Sequence, residues 1–168
     1  MITRYGGLAF RSRVKRPVSA SSTQMLNDLY SDQLLAAAAS LPPARRLENP
    51  DATATRTSRV CGSEVSVDLI MRDDVVRDFG LEARACALGQ ASAGLTAANL
   101  IGADREGLYR LRDEMQHMLD GDGEGPSDPR WAGLHALKAI RDYPQRHEST
   151  MLVFQALADC LDQLRAKS

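Results

Sequence analysis

The sequence predicts an α+β fold, a three-stranded antiparallel meander sheet with helices packed on one face. Three observations predict it. Strand-like runs lie between Thr53 and Ala85, joined by short connections. Helical patterning fills most of the chain after residue 86. No internal repeat breaks that order, and strands followed by helices are the signature of an α+β sandwich. With 168 residues, 43% of them hydrophobic, the chain is large enough for one compact domain with its own core.

Each element has its own warrant. Residues 26–41 read as a helix with Leu34, Ala38 and Leu41 on one face, stopped by Pro42-Pro43. Residues 42–51 form a loop rich in Pro, Arg and Asn. Thr53 to Thr57 alternate small and β-branched residues, a weak strand. From Glu64 to Met71, Val65, Val67 and Leu69 point one way, and Ser66 and Asp68 the other. Arg72-Asp73-Asp74 makes a turn. Val75 to Ala85 then places Phe79, Leu81, Ala83 and Ala85 on one face. Residues 87–100 form a helix rich in small residues, with Leu88, Ala91 and Leu95 on a stripe. Asp104 caps the next helix, in which Leu108, Leu111, Met115 and Met118 recur at helical spacing. Gly121 to Pro129 is a loop, residues 131–140 a short helix, and about Ser149 to Ala166 the last one. There Val153, Leu157, Cys160 and Leu164 fall in line.

Charge divides the chain. Arg4, Arg11, Arg13, Lys15 and Arg16 lie in the first 24 residues without an acid. The remaining 16 basic and 22 acidic side chains give the rest a net charge of about −6. With only 5% aromatic residues, such an acidic body is a poor surface for nucleic acid. No apolar run approaches the roughly 20 residues of a membrane span. Three cysteines do not make a disulfide framework, so a reducing, cytoplasmic setting is expected. Residues 1–24 have the composition of an organelle transit peptide. They read equally as a disordered tail or as a stretch upstream of a true start at Met25. The expected division is therefore a basic extension, 1–24, and one domain, 25–168.

Two cysteines carry the chemistry. Cys61 lies in Val60-Cys61-Gly62-Ser63, just before the second strand, and Cys86 lies where the third strand hands over to a helix. Alternate connections of a meander lie at the same end of the sheet. Cys61 and Cys86 should therefore meet, opposite the Arg72–Asp74 turn. Gly62 allows a sharp turn beside Cys61. Cys86 falls at a helix N-terminus, whose partial positive charge favours an anion. The alternative is that both are small buried side chains, a common fate of free cysteine. No Gly-rich phosphate loop is present.

The Cys-Gly-x loop before a strand, and the strand ending in Cys86-Ala87 followed by small residues, resemble the NifU N-terminal/IscU-type iron–sulfur cluster scaffold family. The stretch Ile140-Arg141-Asp142-Tyr143-Pro144-Gln145-Arg146-His147-Glu148-Ser149-Thr150 extends the resemblance, which covers roughly residues 26–165. It implies an IscU/SufE-like sandwich. It also implies a scaffold, not an enzyme, that takes sulfur from a cysteine desulfurase, holds iron or a nascent cluster, and passes it to apo-protein acceptors. The family's first two cysteines fall on Cys61 and Cys86. Its acidic position falls on Ser63, its third cysteine on Ser149, and the histidine of one branch on Glu148.

The ligand set implied by the resemblance is thus degenerate. Cys61 and Cys86 would bind a transient iron–sulfur cluster or iron, or alternatively zinc. Such sites usually want four strong donors. His147, Glu148 or Ser149 could add to the shell, or a homodimer could share a cluster with two thiolates from each protomer. His147 and Glu148 read equally as the solvated entrance of a helix. Cys160 is excluded: it lies about 16 Å along the helix from Ser149 at 1.5 Å per residue. Two other functions compete. One is a SufE-like sulfur acceptor using Cys61, and the other is a binding module of the assembly machinery that has lost the chemistry.

Overall fold

The computed structural model describes residues 31–168. The basic segment 1–24, the start at Met25 and residues 26–30 of the first expected helix lie outside the described residues. Helix α1 (Asp32–Ala39) begins at Ser31, whose hydroxyl accepts the Leu34 amide at 3.4 Å. It ends just before Pro42-Pro43, as the sequence requires.

Strands β1 (Ala52–Thr57), β2 (Glu64–Arg72) and β3 (Val75–Arg84) form one antiparallel sheet in the order β1-β2-β3. The β2–β3 turn places Asp73 and Asp74 at φ 55° and 59°. Paired left-handed residues suit the twist of a tight hairpin, and aspartate tolerates that conformation better than most. Helices α2 (Ala87–Ala97) and α3 (Arg105–Asp120) follow, then a 3-10 helix (Pro129–Ile140) and α4 (Pro144–Ala166). The meander and the helical second half are those expected from the sequence.

Two elements differ from expectation in informative ways. Helix α4 starts at Pro144 rather than near Ser149. Proline is favoured at the first helical position, where its missing N–H costs nothing. Ser149 therefore stands in the second turn of α4 and is buried. The residues after Asp128 form a 3-10 helix, with Trp131 at non-helical angles. Asp104 does stand at the head of α3, but its carboxylate caps no amide.

Helix α4 lies across the helical face of the sheet and is buried on almost every side. Met151, Leu152, Val153, Phe154, Ala156, Leu157, Cys160 and Leu161 are all inaccessible. A helix apolar all round belongs inside a core. It meets Val65, Val67 and Leu69 of β2, as their alternation predicts.

Ser66 and Asp68, on the opposite face, are buried as well. The segment after α1 covers Asp68. Arg45 pairs with Leu81 on the free edge of β3, and the Leu47 amide reaches Asp68. Gly80 makes room for this crossing: a Cβ there would lie 2.8 Å from the Arg45 carbonyl. Asp68 is 1% exposed and accepts two bonds from the Arg46 guanidinium, one from the Leu47 amide and one from Thr53 Oγ1, at 2.7–2.9 Å. A buried carboxylate so fully partnered stays ionised. The Arg46 guanidinium, first among these, holds its pKa down at about 2.

Because the folded value is depressed, this stabilisation is complete above about pH 4 and fades as pH falls through 2. Asp68→Asn should therefore cost about 2 kcal/mol at pH 7. Denaturant unfolding of the two proteins should show that gap closing as pH approaches 2.

Candidate functional site

The register of the sheet builds the site. Glu64 pairs with Thr57 on one side and Arg84 on the other. The loop carrying Cys61 leaves β1 at Thr57, and Cys86 follows β3 two residues beyond Arg84. Both cysteines emerge at one end of the sheet, as the meander argument requires. Gly62 turns the loop at φ +70°, and its amide donates to the Ser58 carbonyl at 3.0 Å. Cys86 is the N-cap residue of α2.

Ser63 is the meeting point. It is buried, and its Oγ lies 3.0 Å from Cys61 Sγ. The same oxygen accepts the Cys86 amide at 3.3 Å. With one lone pair on that amide, the hydroxyl keeps its proton and a second lone pair, so it can donate to the sulfur or accept from it. The Ser63 hydroxyl accordingly draws the Cys61 thiol below its ordinary value, with the Arg146 charge adding to the effect. Cys61 itself is exposed, and Cys86 is half-buried.

Ser149 joins from α4. The Cys86 thiol donates to Ser149 Oγ at 3.6 Å, and the Ser149 hydroxyl donates to the Arg146 carbonyl at 3.1 Å. Small residues in α2 permit this approach. A Cβ on Gly89 would lie 2.7 Å from Ala85 Cβ and 3.3 Å from the Ser149 carbonyl. Cys61 and Cys86 thus lie at one end of the sheet, as the topology predicts, with Ser63 and Ser149 beside them.

His147 and Glu148 are engaged elsewhere. His147 Nε2 stands 3.1 and 3.0 Å from the carbonyls of Ile140 and Arg141. A ring nitrogen facing carbonyls carries the proton, so Nε2 offers no lone pair to a metal in this arrangement. Glu148 turns to the Cys61 loop, accepting Ser58 Oγ at 2.9 Å and the Arg59 amide at 3.2 Å. Among the described residues, no three His, Cys, Asp or Glu side chains cluster in a way that could hold a metal ion. The groups in direct contact with the two thiols are the Ser63 and Ser149 hydroxyls.

Cys160 is buried far from this cluster, with its thiol directed at the Val67 carbonyl. Burial pushes its pKa up to about 12, the state of an inert thiol. Ser58 was missed by sequence reasoning. It is 1% exposed and accepts the amides of Val60 and Cys61. The one available signal was a serine three residues before the cysteine, a spacing that suits a local hydroxyl–amide turn.

Comparison with known proteins agrees with this architecture. No family model matches the chain. It is 26% identical over 136 residues to the iron–sulfur cluster assembly scaffold protein IscU of Thermotoga maritima, covering 81% of this chain and 94% of that protein. The crystal structure of a nitrogen-fixing NifU-like protein (N-terminal) from Brucella abortus matches with a TM-score of 0.83 at 44% identity. That match covers 86% of this chain and 99% of the Brucella chain. A protein described as a SUF-system cluster scaffold, from Fervidobacterium islandicum AW-1, shares the fold at a TM-score of 0.70 and 21% identity, over 80% and 98% of the two chains. The chain belongs to the NifU N-terminal/IscU-type scaffold family.

The three thiols should react in order of exposure. Iodoacetamide should label Cys61 first, Cys86 more slowly, and Cys160 only after unfolding. Peptide mass spectrometry over a time course reads this directly.

Proposed function

We propose that this protein is a divergent iron–sulfur cluster scaffold or carrier. In this reading Cys61 and Cys86 hold iron or a nascent cluster as cargo. The observation that carries it is the meeting of the two cysteines at one end of the sheet, where Ser63 Oγ contacts the Cys61 thiol and the Cys86 amide, in a domain 44% identical to a NifU-like N-terminal domain. A cysteine desulfurase would supply sulfur, and apo-proteins would receive the cluster. The chain would act as a carrier and not as a catalyst. The functional unit would be residues 25–168, with 1–24 as a separate basic segment. Three free cysteines fit a reducing cytoplasm, and no helix among the described residues is long and apolar enough to cross a membrane.

Ser149 limits how tightly cargo is held. A hydroxyl is a weak ligand, and here its proton is committed to the Arg146 carbonyl. His147 Nε2 is engaged, so His147 could contribute only through Nδ1, and the rest of the shell would come from there, from Ser149, from a small thiol, or from a second copy of this chain. Zinc fits the same two thiolates but would want more donors.

Anaerobic reconstitution with iron and sulfide should produce visible absorption that the Cys61→Ala/Cys86→Ala double variant lacks. Equal absorption in the two proteins would sink the proposal. Ser149→Cys is the complementary test. Its sulfur would stand near the 3.6 Å that now separates Ser149 Oγ from Cys86 Sγ. The edge of a tetrahedron with 2.3 Å metal–sulfur bonds is about 3.8 Å. The variant should therefore retain its cluster about tenfold longer against a chelator, a gain in line with the effect of improved ligation on metal affinity.

A second reading has one observation in its favour. Cys61 is exposed, and the Ser63 hydroxyl draws its thiol below its ordinary value, which suits a SufE-like sulfur acceptor. Its thiolate would attack the outer sulfur of a desulfurase persulfide, and the desulfurase cysteine would leave as thiolate. Mass spectrometry after incubation with desulfurase and cysteine distinguishes the two. Added sulfur on Cys61 without any cluster on reconstitution would favour the acceptor.

A further inference from the structure

We propose that Glu148 is a positioning residue, which fixes the Cys61 loop through Ser58 and the Arg59 amide so that the Cys61 thiol stands against Ser63. The inference rests on the scaffold reading only for what the thiols then hold.

The loop has little else to hold it. Arg59, Val60, Cys61 and Gly62 are all exposed, with Val60 at 67%. Order comes from the buried Ser58. Its amide donates to the Ser63 carbonyl at 2.7 Å, and its carbonyl accepts the Gly62 amide at 3.0 Å. Its hydroxyl oxygen accepts the amides of Val60 at 3.2 Å and Cys61 at 3.4 Å. A hydroxyl has one proton and two lone pairs. The lone pairs serve the two amides, so the proton must go to an acceptor, and Glu148 Oε2 is 2.9 Å away.

The other carboxylate oxygen takes the Arg59 amide at 3.2 Å. Both bonds are charge-assisted, the stronger kind. Glu148 rides on the second turn of α4, whose next residues Ser149, Thr150 and Met151 are buried. The carboxylate therefore ties an exposed loop to the most deeply buried helix of the domain. It orients Cys61 without being a donor itself, the role that outer partners play around ligating side chains. The rival role for Glu148 is an oxygen ligand, since it adjoins Ser149.

The test uses the full chain with Glu148→Ala, Glu148→Gln, Ser58→Ala and the Glu148→Ala/Ser58→Ala double variant. Two readouts are needed. Amide hydrogen exchange at Val60 and Cys61 is followed without metal. Cobalt(II) binding is titrated anaerobically by thiolate-to-cobalt charge-transfer absorption. Glu148→Ala and Ser58→Ala should each speed exchange at both amides and weaken cobalt about tenfold, the usual cost of losing an outer partner. Glu148→Gln, which keeps an acceptor oxygen, should retain most of the wild-type values, and the double variant should be no worse than either single. Unchanged exchange in Glu148→Ala overturns the proposal. So does a Glu148→Gln variant that loses cobalt as fully as Glu148→Ala while its amides stay protected, because that is the pattern of a ligand. A wild-type protein that binds no cobalt counts against the scaffold reading instead, and the exchange comparison then decides the positioning role alone.

Discussion

Glu64 pairs with Thr57 on one side and Arg84 on the other, and this one row of the sheet governs where the thiols stand. It fixes the departure point of the Cys61 loop and the arrival point of Cys86 side by side. A strand register cannot slip by one residue without turning every side chain to the other face. Val65, Val67 and Leu69 are committed to the helical side, while Asp68 is committed to Arg46 on the other. Both faces therefore resist the slip. The one irregularity in the pairing falls between Ile70 and Met71, toward the opposite end, and leaves the site's rows undisturbed.

Helix α4 supplies the third side of the site by a different route. Its placement follows from burial, since it has core residues around nearly its whole circumference. A helix fixed so firmly cannot adjust to its neighbours, so the neighbours must be small. Gly89 shows this directly, because even a methyl there would crowd Ala85 and the Ser149 carbonyl. Gly94 does the same for α1, where a Cβ would lie 2.7 Å from the Ala37 carbonyl. The run of small residues in α2 is a packing requirement, and one of its consequences is that Ser149 reaches Cys86.

The meander was legible because its signals are local: period-two alternation in β2, an Asp-Asp turn, and a helix pattern beginning right after β3. The meeting of Cys61 and Cys86 followed from that topology. The Cys160 stripe was equally clear, and its thiol is as isolated as the spacing implied. What could not be read were contacts between distant segments. The alternation puts Asp68 on the face away from the helices, and nothing local says that residues 42–51 return across that face. The start of α4 was placed late because polar residues 145–149 mask the pattern, although Pro144 marked the boundary. Glu148 was legible as a polar residue near a possible ligand position. Its attachment to Ser58 joins positions 90 residues apart, which no periodicity reveals.

The hydroxyls at 63 and 149 keep the two cysteines in place and, under the proposed function, would weaken the hold on cargo. Each is buried and each makes hydrogen bonds that hold a cysteine in place. A carboxylate at 63 would add a negative charge beside Cys61 and oppose its ionisation. The serine is instead a neutral hydrogen-bond partner for that sulfur. A serine at 149 keeps a polar partner for Cys86 but adds no anionic ligand. Compared with the acid and thiol that the family resemblance implies at these positions, the two serines carry less negative charge and would hold a cation less tightly. The same change leaves Cys61 the more available nucleophile. Under the proposed function, the balance between holding metal and accepting sulfur would turn on two side chains that touch the cysteines without replacing them.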